Sequence, residues 1–341
     1  MQKPDASICA FGANVLLKHL TALNQEIEGV SQAEDIEYIH RMRVASRRLR
    51  TALSVFEKCY PPVKISLWQK EIRKVTRALS EVRDTDVQID RLSQVLNRTR
   101  EANLRSGIRR LMLRLKQKRD RQQAGVTRAM DELVKNRVLK EMDKKITASL
   151  LKNNAGSVYS RDLYQLSADL VQQGLDHLLE YDPITTQPEE VEKLHEMRIA
   201  AKHLRYTLEI FLPLYPGEIK PVVQAIRKVQ EQLGDIHDLD VWIQFLPIFM
   251  KEEREFTRAY FGHERPFYFL LPGLNYFLED CQQNRIASFQ KFSSDWQAWK
   301  ADCVWDSLQA TLRLPLSHSD QVYPPLDFLS TAGQDAETGS L

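Results

Sequence analysis

A segment of twenty-two residues occurs twice in this chain, and this repetition restricts the possible folds more than any other feature. The first copy, HRMRVASRRLRTALSVFEKCYP, begins at His40, and the second, HEMRIAAKHLRYTLEIFLPLYP, begins at His195. They align without a gap, and ten positions are identical. A second pair of segments follows, IRKVTRALSEVRDTDVQIDRL from Ile72 and IRKVQEQLGDIHDLDVWIQFL from Ile226. The sequence therefore predicts two related halves.

The residue spacing within each copy predicts a helix with two chemically different faces. One face is apolar and is predicted to be buried; it comprises Met42, Ala45, Leu49, Ala52, Leu53 and Phe56 in the first copy and Met197, Ala200, Leu204, Leu208 and Phe211 in the second. The other face is cationic. We call it the first stripe (His40, Arg43, Arg47 and Arg50) and the second stripe (His195, Arg198, Lys202 and Arg205).

Two explanations of the stripes are open, a solvated helix face and a binding surface for an anion. A solvated face usually mixes charges, because like charges four residues apart repel each other. The first carboxylate along either cationic face is Glu209, so the pattern favours an anionic ligand. The segments from Ile72 and Ile226 add a smaller basic patch to each half. Its residues are Arg73 and Lys74 in the first half and Arg227 and Lys228 in the second.

Composition and periodicity predict an all-α protein. The chain has 341 residues, of which 43% are hydrophobic and only 12 are glycine. Helical periodicity recurs from Ile8 to about Leu312, and no pattern of strand pairing is evident. The length suits two domains or one duplicated domain.

The formal net charge of +2 conceals a segregation of charge. Residues 40–150 carry 29 lysines and arginines against 12 acidic residues, whereas residues 151–341 carry 17 against 28. Much of the excess lies between Arg91 and Lys145. Such a run is ordinarily a solvated helical hairpin; the alternative is that it widens an electrostatic funnel toward the stripes.

The paired motifs resemble those of the CHAD family, named for a conserved histidine and an α-helical character. The hallmarks are His-x-x-Arg-(Val/Ile)-x-x-(Arg/Lys)-x-Leu-Arg followed by Leu-(Gly/Ser)-x-x-x-Asp-x-Asp-Val, and this sequence has both of them twice. The resemblance covers roughly residues 10–310. It implies two four-helix bundles related by a pseudo-twofold axis, with long helical hairpins. It also implies that the basic helices face a shared groove or pore that binds inorganic polyphosphate, without catalysis.

The second half departs from the first at three positions. Gly234 corresponds to Ser80, His203 stands where the first copy has Arg48, and His237 replaces Arg83. The second half is therefore less basic, and we expect the first half to supply the principal anion surface.

Three regions are predicted along the chain. Residues 1–152 form the first half, residues 153–312 form the second half, and residues 313–341 form a disordered C-terminal tail. Residues 153–160 are interpreted as the linker between the halves. The family resemblance is to a stand-alone form, since no Glu-x-Glu-x-Lys triphosphatase motif is present.

Several residue groups resemble catalytic or metal sites, and none of them makes a convincing one. The His237-Asp238 dipeptide lacks the further histidines that a metal site needs. The aspartates of the two Asp-x-Asp segments are interpreted as helix caps or as internal partners of arginines. No phosphate-binding glycine loop or nucleophile elbow occurs. We therefore expect no enzyme activity, no cofactor and no metal.

The cysteines and the hydropathy favour a cytoplasmic protein without a membrane partner. Cys9, Cys59, Cys281 and Cys303 are widely spaced and form no CxxC pair, which suits a reducing compartment. No apolar signal segment and no run of about 18 apolar residues is apparent. Aromatic residues are dense within residues 256–277. Core and loop packing is the preferred interpretation of these rings, and base stacking is the alternative.

The function predicted from the sequence is multivalent binding of inorganic polyphosphate by both stripes and both smaller patches. A nucleic-acid-binding protein that uses the same surface is the alternative. A third hypothesis is a scaffold on polyphosphate granules that also contacts granule proteins. The sequence leaves open the oligomeric state and whether the stripes line one groove or two surfaces.

Overall fold

The computed structural model describes residues 5–32, 35–153, 159–215, 217 and 219–317. Within these ranges the protein is helical and contains no strand, as predicted. The helices of the first half are α1 (Ala6–Gln25), α2 (Ile27–Gln32), α3 (Ile36–Val55), α4 (Pro62–Arg98), α5 (Ala102–Lys135) and α6 (Val138–Asn153). Those of the second half are α7 (Arg161–Leu179), α8 (Val191–Phe211), α9 (Lys220–Phe261), α10 (Arg265–Tyr268), α11 (Leu271–Ala301) and α12 (Val304–Ser317).

The duplication is visible in the order of helix packing. In the first half α1 packs on α3 and α6, α3 packs on α4, and α4 forms a long hairpin with α5. In the second half α7 packs on α8 and α12, α8 packs on α9, and α9 forms a long hairpin with α11. The equivalent helices α3 and α8 also contact each other, as do α5 and α11. The predicted long hairpins are therefore confirmed, and each half supplies one of them.

Both hydrophobic cores draw residues from both halves. The larger core surrounds α3 and α8, where the rings of Phe11, Phe56 and Phe211 meet within about 6 Å of one another. The smaller core lies farther along the hairpins and includes Leu111 from α5 and Trp242 from α9. Each core is therefore continuous across the interface between the halves.

The predicted linker and the predicted C-terminal tail lie partly outside the described residues. Most of the predicted linker, residues 154–158, lies outside the described residues, and so does the chain from residue 318 onward. Helix α12 continues to Ser317, so the tail predicted to begin at residue 313 begins with helix instead. The apolar face of α12, with Leu308 and Leu312 buried, explains this difference.

The cysteine interpretation was wrong for one pair. Cys9 on α1 and Cys59 just after α3 are joined by a disulfide, with their Cα atoms 5.4 Å apart. Their separation of 50 residues concealed a contact that only the packing of α1 against α3 creates. Cys281 is buried and Cys303 is exposed, and both are free. The cysteines therefore no longer support a reducing compartment.

The hydropathy of the N-terminal region also differs from the expectation. By length and composition the segment Ala6–Gln32 could cross a membrane, with a mean hydropathy of 1.3 over its most apolar window. It is the one such segment in the described part of the chain. In this structure its apolar residues Phe11, Leu16 and Leu20 are buried in the larger core. Packing within a helical bundle accounts for the same pattern.

Candidate anion-binding groove

Helices α3 and α8 place both stripes beside the interface between the halves. The apolar faces predicted from the repeat are buried: Met42, Leu49 and Met197 have no exposed surface, and Leu204 is 1% exposed. The stripes lie on the edges of these helices, and all eight of their side chains are half-buried. The division into a core face and a cationic face is thus as the residue spacing predicted.

The two stripes lie close together, and we call the surface between them the groove. The pKa of Lys202 in the second stripe is lowered to about 8 by burial and by the positive charges of Arg47, Arg198, Arg43 and Arg50. Three of these arginines belong to the first stripe, so the stripes share one electrostatic environment. Arg43 likewise has its pKa lowered to about 10, by burial first and by Arg47 second. The cations of both stripes are therefore near enough to influence one another.

Most of the converging cations lack a protein counter-ion. Among the described residues, no carboxylate is at ion-pair distance from Arg47, Arg50, Arg198 or Lys202. Arg43 donates to the Ser80 hydroxyl at 3.3 Å and lies 3.8 Å from Asp84, whose side chain is 71% exposed. Bringing like charges together in a half-buried place is unfavourable without an anion.

Two further predicted binding residues have a closer carboxylate partner than Arg43 has. Arg205 donates to Glu209 at 2.9 Å, and Glu209 also accepts from Arg48 at 2.8 Å. Burial alone would raise the pKa of Glu209, but the two arginines outweigh it and the pKa is lowered. Lys74 forms a similar pair with Glu71 at 2.9 Å. These pairs leave Arg205 and Lys74 with less charge to offer a ligand.

The smaller basic patches are divided between the groove and the outer surface. Arg73 is exposed, and its charge contributes to lowering the pKa of Arg50, which places it near the first stripe. Arg227 and Lys228 are exposed on α9. Neither is among the charges that lower the pKa of Lys202 most. Arg73 is thus a patch residue with an electrostatic effect on a stripe arginine.

Sequence reasoning did not assign a role to Arg83, which lies close to the first stripe. Its positive charge lowers the pKa of both His40 and Arg43, after burial, which is the largest cause for each. In the second half the corresponding residue is His237, whose Nδ1 lies 3.1 Å from Nδ1 of His195. The alignment of the repeated segments could have indicated this role. Arg83 and His237 occupy the same aligned position, three residues after Ser80 and Gly234 respectively.

The histidines of the groove favour the neutral form. Burial is the largest cause that lowers the pKa of His40, His195 and His237, and neighbouring cations add to it. The pKa of His237 falls to about 4. In the free protein at neutral pH these rings therefore offer hydrogen bonds rather than charge, and a bound anion would favour their protonation.

Two equivalent aspartates, one in each half, lie near the stripes. Asp84 of α4 and Asp238 of α9 occupy the same position in the repeat. Burial raises the pKa of Asp238 to about 6, and the negative charges of Asp235 and Asp84 act in the same direction against Arg198. Asp238 is nevertheless exposed to solvent.

The other aspartate of each Asp-x-Asp segment is structural. Asp86 accepts from Arg119 at 2.7 Å, and Asp240 accepts from Arg285 at 3.0 Å. Each bond connects the two helices of one long hairpin. The prediction that these aspartates pair with arginines is confirmed, whereas the helix-cap interpretation was wrong because they lie within α4 and α9. Among described residues, no group of three or more His, Cys, Asp or Glu side chains could hold a metal ion.

Comparison with known proteins gives one family and a common fold. The family model for the CHAD domain matches residues 14–247. The crystal structure of the CHAD domain from the plant Ricinus communis is 24% identical, with 87% of this chain and 94% of that chain covered and a TM-score of 0.61. PptA from Streptomyces chartreusis is 15% identical, with 86% and 99% covered and a TM-score of 0.56. At these identities the two structures show similarity of fold alone. A search of curated proteins found no match.

Proposed function

The chain belongs to the CHAD family, which is linked to polyphosphate binding, and from that premise we propose that it binds inorganic polyphosphate in the groove between α3 and α8, without catalysis. One observation carries the proposal: Arg47, Arg50, Arg198 and Lys202 converge from both halves without a carboxylate at ion-pair distance among the described residues. A bound polyanion would supply the negative charge that the described part of the protein does not place beside these four cations.

The side chains of the groove are suited to phosphate oxygens. Arginine presents a planar fork of donors to two oxygens at once, whereas lysine acts as a point charge. Ser80 accepts from Arg43 and Arg47 at 3.3 and 3.5 Å, and these bonds hold the two guanidinium groups side by side. From His40 to Arg50 the stripe extends about 15 Å along α3. This length suits several successive phosphates better than a single one.

Nucleic acid remains the weaker alternative for the same groove. Binding of single strands generally requires aromatic rings on which bases stack, yet the ring that lies near Arg43 is that of Tyr206, which is 8% exposed. A flexible phosphate chain needs no such ring. We further propose a location on polyphosphate granules, where the same binding would act as a scaffold.

We expect affinity for long-chain polyphosphate to fall steeply with salt. For six to eight phosphate contacts, the slope of log affinity against log salt should be about −5, at roughly 0.7 per contact for a flexible strand. Titration of a size-graded polyphosphate series, with ATP, single-stranded DNA and heparin as competitors, would measure it. Long-chain polyphosphate should displace a labelled oligonucleotide far more readily than the reverse. Preferential binding of the oligonucleotide would contradict the proposal.

Binding should also tighten as the pH falls. A phosphate beside Lys202 raises the pKa of that amine from about 8, so the complex binds a proton that the free protein partly lacks. Affinity should therefore rise about tenfold between pH 9 and pH 7. Protonation of Asp238, whose pKa is about 6, should add a second rise toward pH 5 because it removes a negative charge from the groove.

Lys202→Arg provides the matched control for this pH dependence, because arginine stays charged throughout the range. The variant should keep the rise below pH 7 and lose the rise between pH 9 and pH 7. Isothermal titration in buffers of different ionisation enthalpy would count the protons taken up. If the affinity of Lys202→Arg still rose between pH 9 and pH 7, a group other than Lys202 would be responsible for that rise.

A further inference from the structure

The turn between α9 and α11 exposes a group of aromatic rings, which we call the aromatic tip (Phe256, Tyr260, Phe261, Tyr268 and Phe269). Tyr260 is 83% exposed and Phe269 is 74% exposed. Interpretation of these residues as core packing was wrong, although Phe267 and Phe277 are indeed buried. Large apolar side chains grouped on a surface commonly mark a site of interaction.

The protein fixes the backbone that presents these rings. Gly262 ends α9 with a φ of 75°, a left-handed conformation that glycine adopts without strain. Glu264 accepts from Arg254 at 2.7 Å and from the Tyr268 hydroxyl at 3.2 Å. The carbonyl of Phe269 accepts from Ser106 of α5 at 2.7 Å. The tip is thus anchored to both hairpins.

Cations surround the rings, and several nearby acids are already engaged. Exposed basic residues at this end include Lys251, Arg258 and Arg265 from the second half and Arg100 and Arg109 from the first. Glu253 is buried between Arg110 and Arg114, and Glu264 is paired with Arg254. Glu252 and Glu255 remain exposed. Between residues 98 and 114 the chain has six arginines and one acidic residue.

A shallow cleft beside the tip combines apolar and cationic walls. Its volume is about 360 Å³, and its lining residues are Met250, Lys251, Arg254, Phe267, Tyr268 and Leu271. An anionic lipid has the same two parts, a charged headgroup and an apolar chain. Aromatic rings flanked by lysine and arginine are typical of protein segments that lie at the interface of a membrane with water.

We propose that the aromatic tip docks on an anionic lipid surface. Rings that protrude from a helix turn can enter the headgroup region while the neighbouring cations contact lipid phosphates. A single nucleic acid strand generally binds in a positively charged groove, whereas these rings protrude from a helix turn. The tip begins about 28 Å along α9 from His237, so the groove would stay free for its own ligand. The proposed contact is peripheral. This proposal does not depend on the proposed function of the groove.

Vesicle flotation tests the proposal with the full chain. Vesicles would contain phosphatidylcholine alone or with about a third of phosphatidylglycerol. We expect the protein to float with the anionic vesicles, and Tyr260→Ser/Phe261→Ser/Phe269→Ser to reduce the bound fraction at least about tenfold. The same variant should keep its polyphosphate affinity. Because the groove is also cationic, Arg43→Ala/Arg47→Ala/Arg50→Ala serves as the matched control and should still float.

A second measurement keeps the test independent of the folding of the serine variant. In Phe261→Trp, tryptophan emission should shift to shorter wavelength with anionic vesicles and stay unchanged with phosphatidylcholine alone. Failure of the native chain to float, flotation that depends on the groove arginines, or an unchanged tryptophan spectrum would each overturn the proposal. Tip-dependent binding of a single-stranded oligonucleotide in place of vesicles would overturn the lipid assignment as well.

Discussion

Replacing Arg43, Arg47 and Arg50 together with alanine should weaken binding of long-chain polyphosphate at least about a hundredfold. Three charge-assisted hydrogen bonds at about 1.5 kcal/mol each would predict a larger loss if they were additive. Removal of neighbouring arginines also relieves repulsion in the free protein, as the lowered pKa of Arg43 and Lys202 indicates. With less repulsion the remaining cations bind phosphate more strongly. The net loss of affinity is therefore smaller than the sum of the three separate losses.

A charge-matched control separates a site from a general attraction. Lys140, Lys144 and Lys145 are exposed on α6, and their replacement by alanine removes the same three charges. This control should change the affinity by less than about threefold at physiological salt, because exposed charges beyond the screening length contribute little. The groove variant should also have a salt slope smaller by about 2. Equal losses in the two variants would refute the stripe assignment.

The groove variant should fold as the native chain does. The three arginines lie off the apolar face of α3, whose core residues Met42 and Leu49 stay in place. None of the three forms an ion pair that joins α3 to α8; that contact is made by Arg48 through Glu209. Thermal unfolding of the variant should therefore stay close to that of the native chain.

The sequence predicted the chemistry of the groove better than its geometry. Periodicity alone assigned Met42 and Met197 to the core and Arg47 and Lys202 to the opposite faces, since those assignments depend only on the 3.6-residue repeat. It could not show that Arg47 faces Lys202, because that proximity results from packing between helices far apart in the chain. The pairing of Arg205 with Glu209 is local, because the two residues are four apart on α8. The contact of Glu209 with Arg48, by contrast, depends on packing between the halves.

Features that depend on tertiary contact escaped prediction for the same reason. The Cys9–Cys59 disulfide follows from the packing of α1, and no local spacing announces it. The aromatic tip has the composition of a core segment. In the structure Tyr260 is exposed near the end of α9, which terminates before Gly262. Sequence reasoning assigned no role to any glycine outside the repeated motifs, although two of them control the distance between the long hairpins.

Gly107 on α5 and Gly273 on α11 lie at the crossing of these two equivalent helices. A Cβ at Gly273 would overlap the carbonyl oxygen of Leu104 and lie 3.2 Å from the backbone nitrogen of Gly107. A Cβ at Gly107 would overlap the carbonyl oxygen of Leu270. The obstructing atoms are backbone, so they cannot move as a flexible side chain would. The close approach of the hairpins therefore requires the absence of a side chain at both positions.

Gly273→Ala should consequently lower the free energy of unfolding by about 3 kcal/mol, because the helices must separate and loosen the smaller core around Leu111. Gly125→Ala on α5 is the matched control, since nothing lies within 4 Å of its Cβ position. There alanine should raise the stability by about 0.5–1 kcal/mol through helix propensity alone. Denaturation by urea measures both. Equal stability of the two variants would mean that the crossing tolerates a methyl group. If Gly273→Ala destabilises the protein while Gly125→Ala stabilises it, then close contact between the hairpins, rather than helix propensity, determines stability at this end of the molecule, where the two halves meet.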